Sequence, residues 1–146
     1  GMLGSQQGLI LVYVAFSLPF TVFVLTGFFT ALPDELREAA LLDGCTDVQT
    51  FVKIMMPLAK PGLVVALIFN IIGLWNEYNL ALVLISKTEL FTLPLGLANL
   101  TNTAQYQADW GALFAAMMIV MTPVLAVYWT LKEKIQEAML AGAVKG

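Results

Sequence analysis

Three long apolar runs leave this chain few folds to adopt. Residues 9–32 hold 24 residues without a charge, residues 61–86 hold 26 with Glu77 as the single charge, and residues 111–131 hold 21 without a charge. As an α-helix the first run is ~36 Å long, enough to cross a hydrocarbon core of about 30 Å with some tilt. Apolar stretches above about 18 residues read as membrane spans, and three together favour that over a buried soluble bundle. Composition agrees. With 60% hydrophobic and 12% charged residues, 146 residues carry more apolar surface than one soluble core hides. The expected fold is an all-α, polytopic transmembrane helical bundle with three spans at 9–32, 61–86 and 111–131. Pro19 and Pro123 lie inside the first and third runs. In lipid, neighbouring helices or Ser/Thr side chains re-satisfy the carbonyl that a proline frees, so kinks are expected there and not breaks.

Several chemistries are excluded at once. The chain has no histidine and one cysteine, Cys45, which removes an intrachain disulfide, a Cys/His zinc site and any histidine-dependent triad. A net charge of −3 with no basic patch argues against nucleic acid. No Gly-x-x-x-x-Gly-Lys-Ser/Thr loop is present to hold a nucleotide. Glu77 has only amides beside it in its own run, which leaves an intramembrane enzyme without a catalytic pair. The expectation is therefore a chain that is not an enzyme, with no catalytic residue, cofactor or metal of its own.

Basic residues set the orientation. Segment 33–60 carries Arg37, Lys53 and Lys60, and the tail 132–146 carries Lys132, Lys134 and Lys145. Segment 1–8 has none and the loop 87–110 has only Lys87. The positive-inside rule then puts 33–60 and the tail in the cytoplasm and 87–110 outside.

Segment 33–60 carries the richest local chemistry. Pro33-Asp34-Glu35 opens a helix, with acids at its positive end. Leu36, Ala39, Ala40, Leu41 and Leu42 form an apolar stripe, and Gly44 stands where a left-handed residue ends a helix. Thr46 followed by Gln49 is a capping box that restarts one. Phe51, Val52, Ile54, Met55 and Met56 supply its apolar side, and Pro57 is expected to stop it. The reading is helix, glycine turn, helix, at the inner membrane surface. Five acids against three bases suit a protein partner better than an anionic lipid surface.

The spacing here resembles a known pattern. Glu38-Ala39-Ala40, three residues, Gly44, nine residues, Ile54, one residue, Met56-Pro57 is similar to the Glu-Ala-Ala loop of ABC importer permeases. Met56 stands where that pattern has leucine, a swap that conserves volume and polarity. Trp75-Asn76-Glu77-Tyr78, Leu93-Pro94-Leu95-Gly96-Leu97 and Ala141-Gly142-Ala143-Val144-Lys145-Gly146 resemble the carbohydrate branch of that family, in particular the homologues of the maltose permease G subunit. The likeness covers essentially the whole chain. It implies the C-terminal half of a transmembrane domain, with residue 146 as the natural end and three further spans upstream.

The resemblance implies a mechanism. Residues 33–60 would hold a coupling helix seated in a cytoplasmic ATPase subunit, which binds the ATP, while a second permease subunit completes the pathway. An extracytoplasmic substrate-binding protein would deliver solute to 87–110, and the tail would reach toward the ATPase. The setting would be a bacterial or archaeal inner membrane. Coupling would fall to Glu38, Ala39, Ala40, Gly44, Ile54 and Pro57. Intramembrane polar and aromatic residues of the second run, Asn70, Trp75, Asn76, Glu77, Tyr78 and Asn79, are candidates for a sugar path, since sugars present apolar faces and hydroxyl edges. Helix–helix hydrogen bonding and interfacial aromatics account for the same residues. A permease for another solute, such as a glycerol phosphate or polyol, and a truncated non-transporting membrane fragment also stay open.

Overall fold

The structure, a computed structural model, describes residues 4–107 and 109–143, with side chains described for 4–102 and 109–132. Every regular element among them is helical. In chain order these are α1 (Gln6–Thr30), α2 (Asp34–Leu42), α3 (Asp47–Thr50), a π turn (Phe51–Met55), α4 (Met56–Leu58), α5 (Lys60–Trp75), α6 (Asn79–Leu84), a 3₁₀ turn (Thr88–Leu90), α7 (Leu93–Gln107) and α8 (Trp110–Ala143).

Two helices are long and apolar enough to cross a membrane, Gln6–Thr30 and Trp110–Lys132, and only 6% of each apolar window is buried. Side chains this apolar and this exposed need lipid or further helices around them. Ser5 starts α1, its hydroxyl accepting the Gly8 N–H at 3.2 Å. Asp109 does the same for α8, accepting the Ala112 N–H at 3.1 Å. Both helices run unbroken through Pro19 and Pro123. Ser17 and Thr122 donate their hydroxyls to the carbonyls of Tyr13 and Met118 in those turns. Trp110 and Trp129 are both exposed, and lie ~28 Å apart along α8, the spacing of two membrane–water interfaces.

The second run differs from its expectation. A single span over 61–86 is replaced by a 16-residue helix ending at Trp75, a break at 76–78 and the short α6. At its N-terminal end, Asp47–Leu58 and Lys60–Trp75 meet at 68°, so the pair together makes the third candidate span. Pro57 does not stop the helical path, which bends at Ala59 instead. Proline has no N–H for the carbonyl four residues back and crowds it. The π turn just before it takes up that mismatch, as such turns do at kinks. Connection 87–110 is mostly helical, with α7 occupying 15 of its residues. Beyond Leu131 the backbone continues α8 to Ala143.

The chain forms two compact units. One takes Gly1–Ser17 and Asn70–Leu131. Its core joins Leu9, Ala81, Ile85 and Leu95, with Tyr13, Tyr78, Leu84, Leu90 and Phe91 packed on it. The other takes Leu18–Phe69 and Lys132–Gly146. Within it the rings of Phe20 and Phe69 meet edge-on at 5.8 Å and those of Phe29 and Phe51 lie 5.5 Å apart. Gly62 lets α5 press against Phe28: an added Cβ would fall inside van der Waals contact of that ring.

Candidate functional site

The turn at Gly44 is built by the backbone. Gly44 has φ +82°. Its N–H donates to the Leu41 carbonyl at 3.0 Å, and the Cys45 N–H donates to Ala40 at 3.0 Å. These two bonds make a Schellman cap. No atom lies within 4 Å of a Cβ built at Gly44, so glycine is required there by the left-handed conformation and not by crowding. The next helix restarts at once. Thr46 N–H donates to Gln49 Oε1 at 2.9 Å, and Gln49 N–H donates to Thr46 Oγ1 at 3.3 Å, completing the capping box. Arg37 and Asp47 bridge the turn at 3.0 Å with side chains 54% and 74% exposed. A pair this exposed contributes about 0–1 kcal/mol, so cap and box set the geometry.

The coupling candidates divide by burial. Ala40 is 2% exposed and points inward, its carbonyl held in the cap. Glu38, Ala39, Gly44 and Pro57 are exposed, and Ile54 is half-buried. Leu42 is 89% exposed and Val48 72% exposed on either side of the turn. Apolar side chains at one tip, rimmed by acids, have the composition of an interaction site.

Residues 70–79 do not share one helix face. Asn70 lies half-buried on α5, Trp75 ends that helix, and Asn79 begins α6. The indole N–H of Trp75 donates to the Val120 carbonyl at 3.1 Å. Asn76 Nδ2 donates to the Ile72 carbonyl at 2.8 Å. Glu77 accepts from the N–H groups of Leu80 at 2.6 Å and Ala81 at 3.1 Å, and from the Tyr13 hydroxyl at 2.8 Å. Tyr78 packs on the Leu9 core. Trp75, Asn76 and Glu77 are thus engaged in closing the break, with Glu77 capping the first amides of α6.

Residues 4–136 match the family described as the binding-protein-dependent transport system inner membrane component. The chain belongs to this family. Among relatives of this inner-membrane transport component, the diacetylchitobiose uptake system permease protein NgcG of Streptomyces coelicolor is 41% identical over 145 residues, 99% of this chain and 48% of its own length. The trehalose transport system permease protein SugB of Mycobacterium tuberculosis is 36% identical over 146 residues, 100% of this chain and 53% of its own. The inner membrane ABC transporter permease protein YcjP of Escherichia coli is 36% identical over 146 residues, 51% of its own length. The chain spans about half the length of the curated relatives it matches.

Sequence reasoning about this transport component missed Tyr13 as the partner of Glu77 and Phe28 as the neighbour of Gly62. A tyrosine in an apolar run signals a hydroxyl in need of an acceptor, but nothing local names an acceptor 64 residues away.

Proposed function

We propose that this chain is the coupling half of a permease subunit in a binding-protein-dependent ABC importer for a sugar or oligosaccharide. The observation that carries the reading is the Gly44 turn. It presents Glu38, Ala39 and Leu42 outward at the spacing of the Glu-Ala-Ala loop, between two apolar helices. A separate cytoplasmic ATPase subunit binds ATP and receives this tip, with Glu38 available to pair with a cationic side chain. When ATP closes two such subunits on each other, the tip moves with them, and the bend at Ala59 passes the movement to α5. A second permease subunit completes the pathway, and an extracytoplasmic binding protein delivers solute on the side of α7. The basic residues of 33–60 and of the tail support a cytoplasmic position for both. Relatives named for diacetylchitobiose and trehalose transport support a sugar, and the absence of basic residues from the apolar runs suits a neutral solute.

The test is a cysteine cross-link in the full-length permease, with Cys45 replaced and the ATPase co-expressed. Ala39→Cys and Leu42→Cys are expected to bond to the ATPase, with a yield that changes on adding ATP. Correctly inserted protein giving no cross-link from any exposed position between 38 and 48 would overturn the coupling reading.

A further inference from the structure

We infer that a pocket between the start of α7 and the first third of α8 is a subsite for a sugar ring. The inference rests on the sugar-importer reading and gives it a location within this chain. The pocket has a volume of about 380 Å³, with Phe91, Thr92, Gly96 and Asn99 on one side and Ile119 and Val120 on the other. Small-molecule pockets run from about 300 to 1,000 Å³, mostly apolar with a few placed polar groups. An aromatic ring, a hydroxyl and an amide set in an aliphatic wall match a pyranose, which offers apolar faces and a hydroxyl edge.

A second observation points to a ligand. The Thr92 hydroxyl oxygen is buried and has no hydrogen-bond partner. Thr92 immediately precedes α7, and its carbonyl accepts the Gly96 N–H at 2.8 Å. A threonine there ordinarily accepts the N–H of the second or third helical residue; Pro94 has none, and the hydroxyl does not take that of Leu95 either. A buried unpaired hydroxyl is costly. Thr92 lines the pocket, and a step of about 120° about Cα–Cβ moves its hydroxyl to another staggered position, from which a sugar hydroxyl in the pocket would pair with it. A lipid acyl chain would fill the aliphatic part and leave Thr92 unpaired.

The residues that close the break also hold the pocket walls. Trp75 donates to the carbonyl of Val120, a wall residue. Phe91 packs on the core formed by Leu9, Ala81, Ile85 and Leu95, and Glu77 caps the helix that carries Ala81. Trp75 and Glu77 are therefore positioning residues, and solute contact falls to Phe91, Thr92 and Asn99.

Gly96 supplies the test. An added Cβ there meets nothing within 4 Å, so Gly96→Leu fills the pocket while replacing a residue that weakens a helix interior. The assembled transporter, with its ATPase and binding protein, is reconstituted in vesicles and given radiolabelled trehalose and diacetylchitobiose. For the sugar that the wild type takes up, Gly96→Leu and Thr92→Val are expected to raise KM roughly tenfold. Thr92→Ser, which keeps the hydroxyl, stays near wild type. Should Gly96→Leu fail to assemble, the Val and Ser variants at Thr92 decide alone. Wild-type uptake with KM unchanged in the variants would overturn the subsite and leave the sugar reading standing. Uptake by the wild type of neither sugar, nor of any other labelled mono-, di- or oligosaccharide given in their place, would overturn the sugar reading and the subsite with it.

Discussion

The Tyr13 hydroxyl donates to Glu77 Oε2 at 2.8 Å, tying α1 to the break that follows α5. A hydrogen bond to a charged acceptor contributes about 1.5–3 kcal/mol. Tyr13→Phe removes the donor. Glu77→Gln keeps the shape, but its amide nitrogen cannot accept, so either Tyr13 or an amide of α6 loses its partner. Both variants are expected to lower the thermal midpoint of the purified transporter. Because they break one shared bond, the double variant should lose less than the sum of the two. Strict additivity would mean that the pair does not form.

Gly44→Val should separate ATP hydrolysis from uptake. A β-branched residue at φ +82° costs about 1–3 kcal/mol of local strain, which the short tip relieves by opening the Schellman cap. Inserted protein and basal ATPase activity should persist while sugar moved per ATP falls severalfold. Gly44→Asn should be milder, since asparagine tolerates the left-handed region. Normal coupling in the valine variant would show that the turn does not set the contact.

This turn is legible in the sequence because each of its devices is encoded within a few residues. The glycine stop, the Thr46–Gln49 box and the acidic start at Asp34-Glu35 name their own partners. The runs of α1 and α8 are equally legible, since length and absence of charge suffice. The break at 76–78 is not. Apolar residues on both sides average over it, and what stabilises it is Tyr13, far away in sequence. The bend at Ala59 hides behind Pro57, the stronger local stop signal, because a π turn absorbs the proline. Leu93–Gln107 reads as loop because its uncharged polar residues carry weak periodicity. Leu95, buried on the Leu9 core, is what holds its first turns in place. Of the candidate site residues, the sequence puts Ala39 and Ala40 on one apolar stripe, and only the fold separates the exposed Ala39 from the buried Ala40.

Gly62 should resist even one added methyl. A Cβ there would lie within 2.9 Å of the Phe28 Cβ and closer still to its ring. Overpacking of this kind costs about 1–3 kcal/mol. Gly62→Ala is expected to lower the thermal midpoint despite alanine's better helix propensity. Adding Phe28→Leu should recover part of the loss. A neutral or stabilising Gly62→Ala would mean that α1 and α5 do not meet there.

Ala39 and Ala40 are neighbours of the same type with opposite surroundings, and thiol labelling reads the difference. Ala40 is 2% exposed with its carbonyl bound by Cys45, while Ala39 faces outward on the same turn. With Cys45 replaced by serine, a charged maleimide applied to the cytoplasmic face should label Ala39→Cys at least about tenfold faster than Ala40→Cys, because opening the helix cap costs more than about 1.4 kcal/mol. Binding the ATPase subunit should then protect Ala39→Cys and leave the already slow Ala40→Cys unchanged. Equal rates at both positions would mean that the helix presents another face. Fast labelling of Ala39→Cys that the ATPase does not slow would place the docking contact elsewhere on the tip, at Leu42 or Val48.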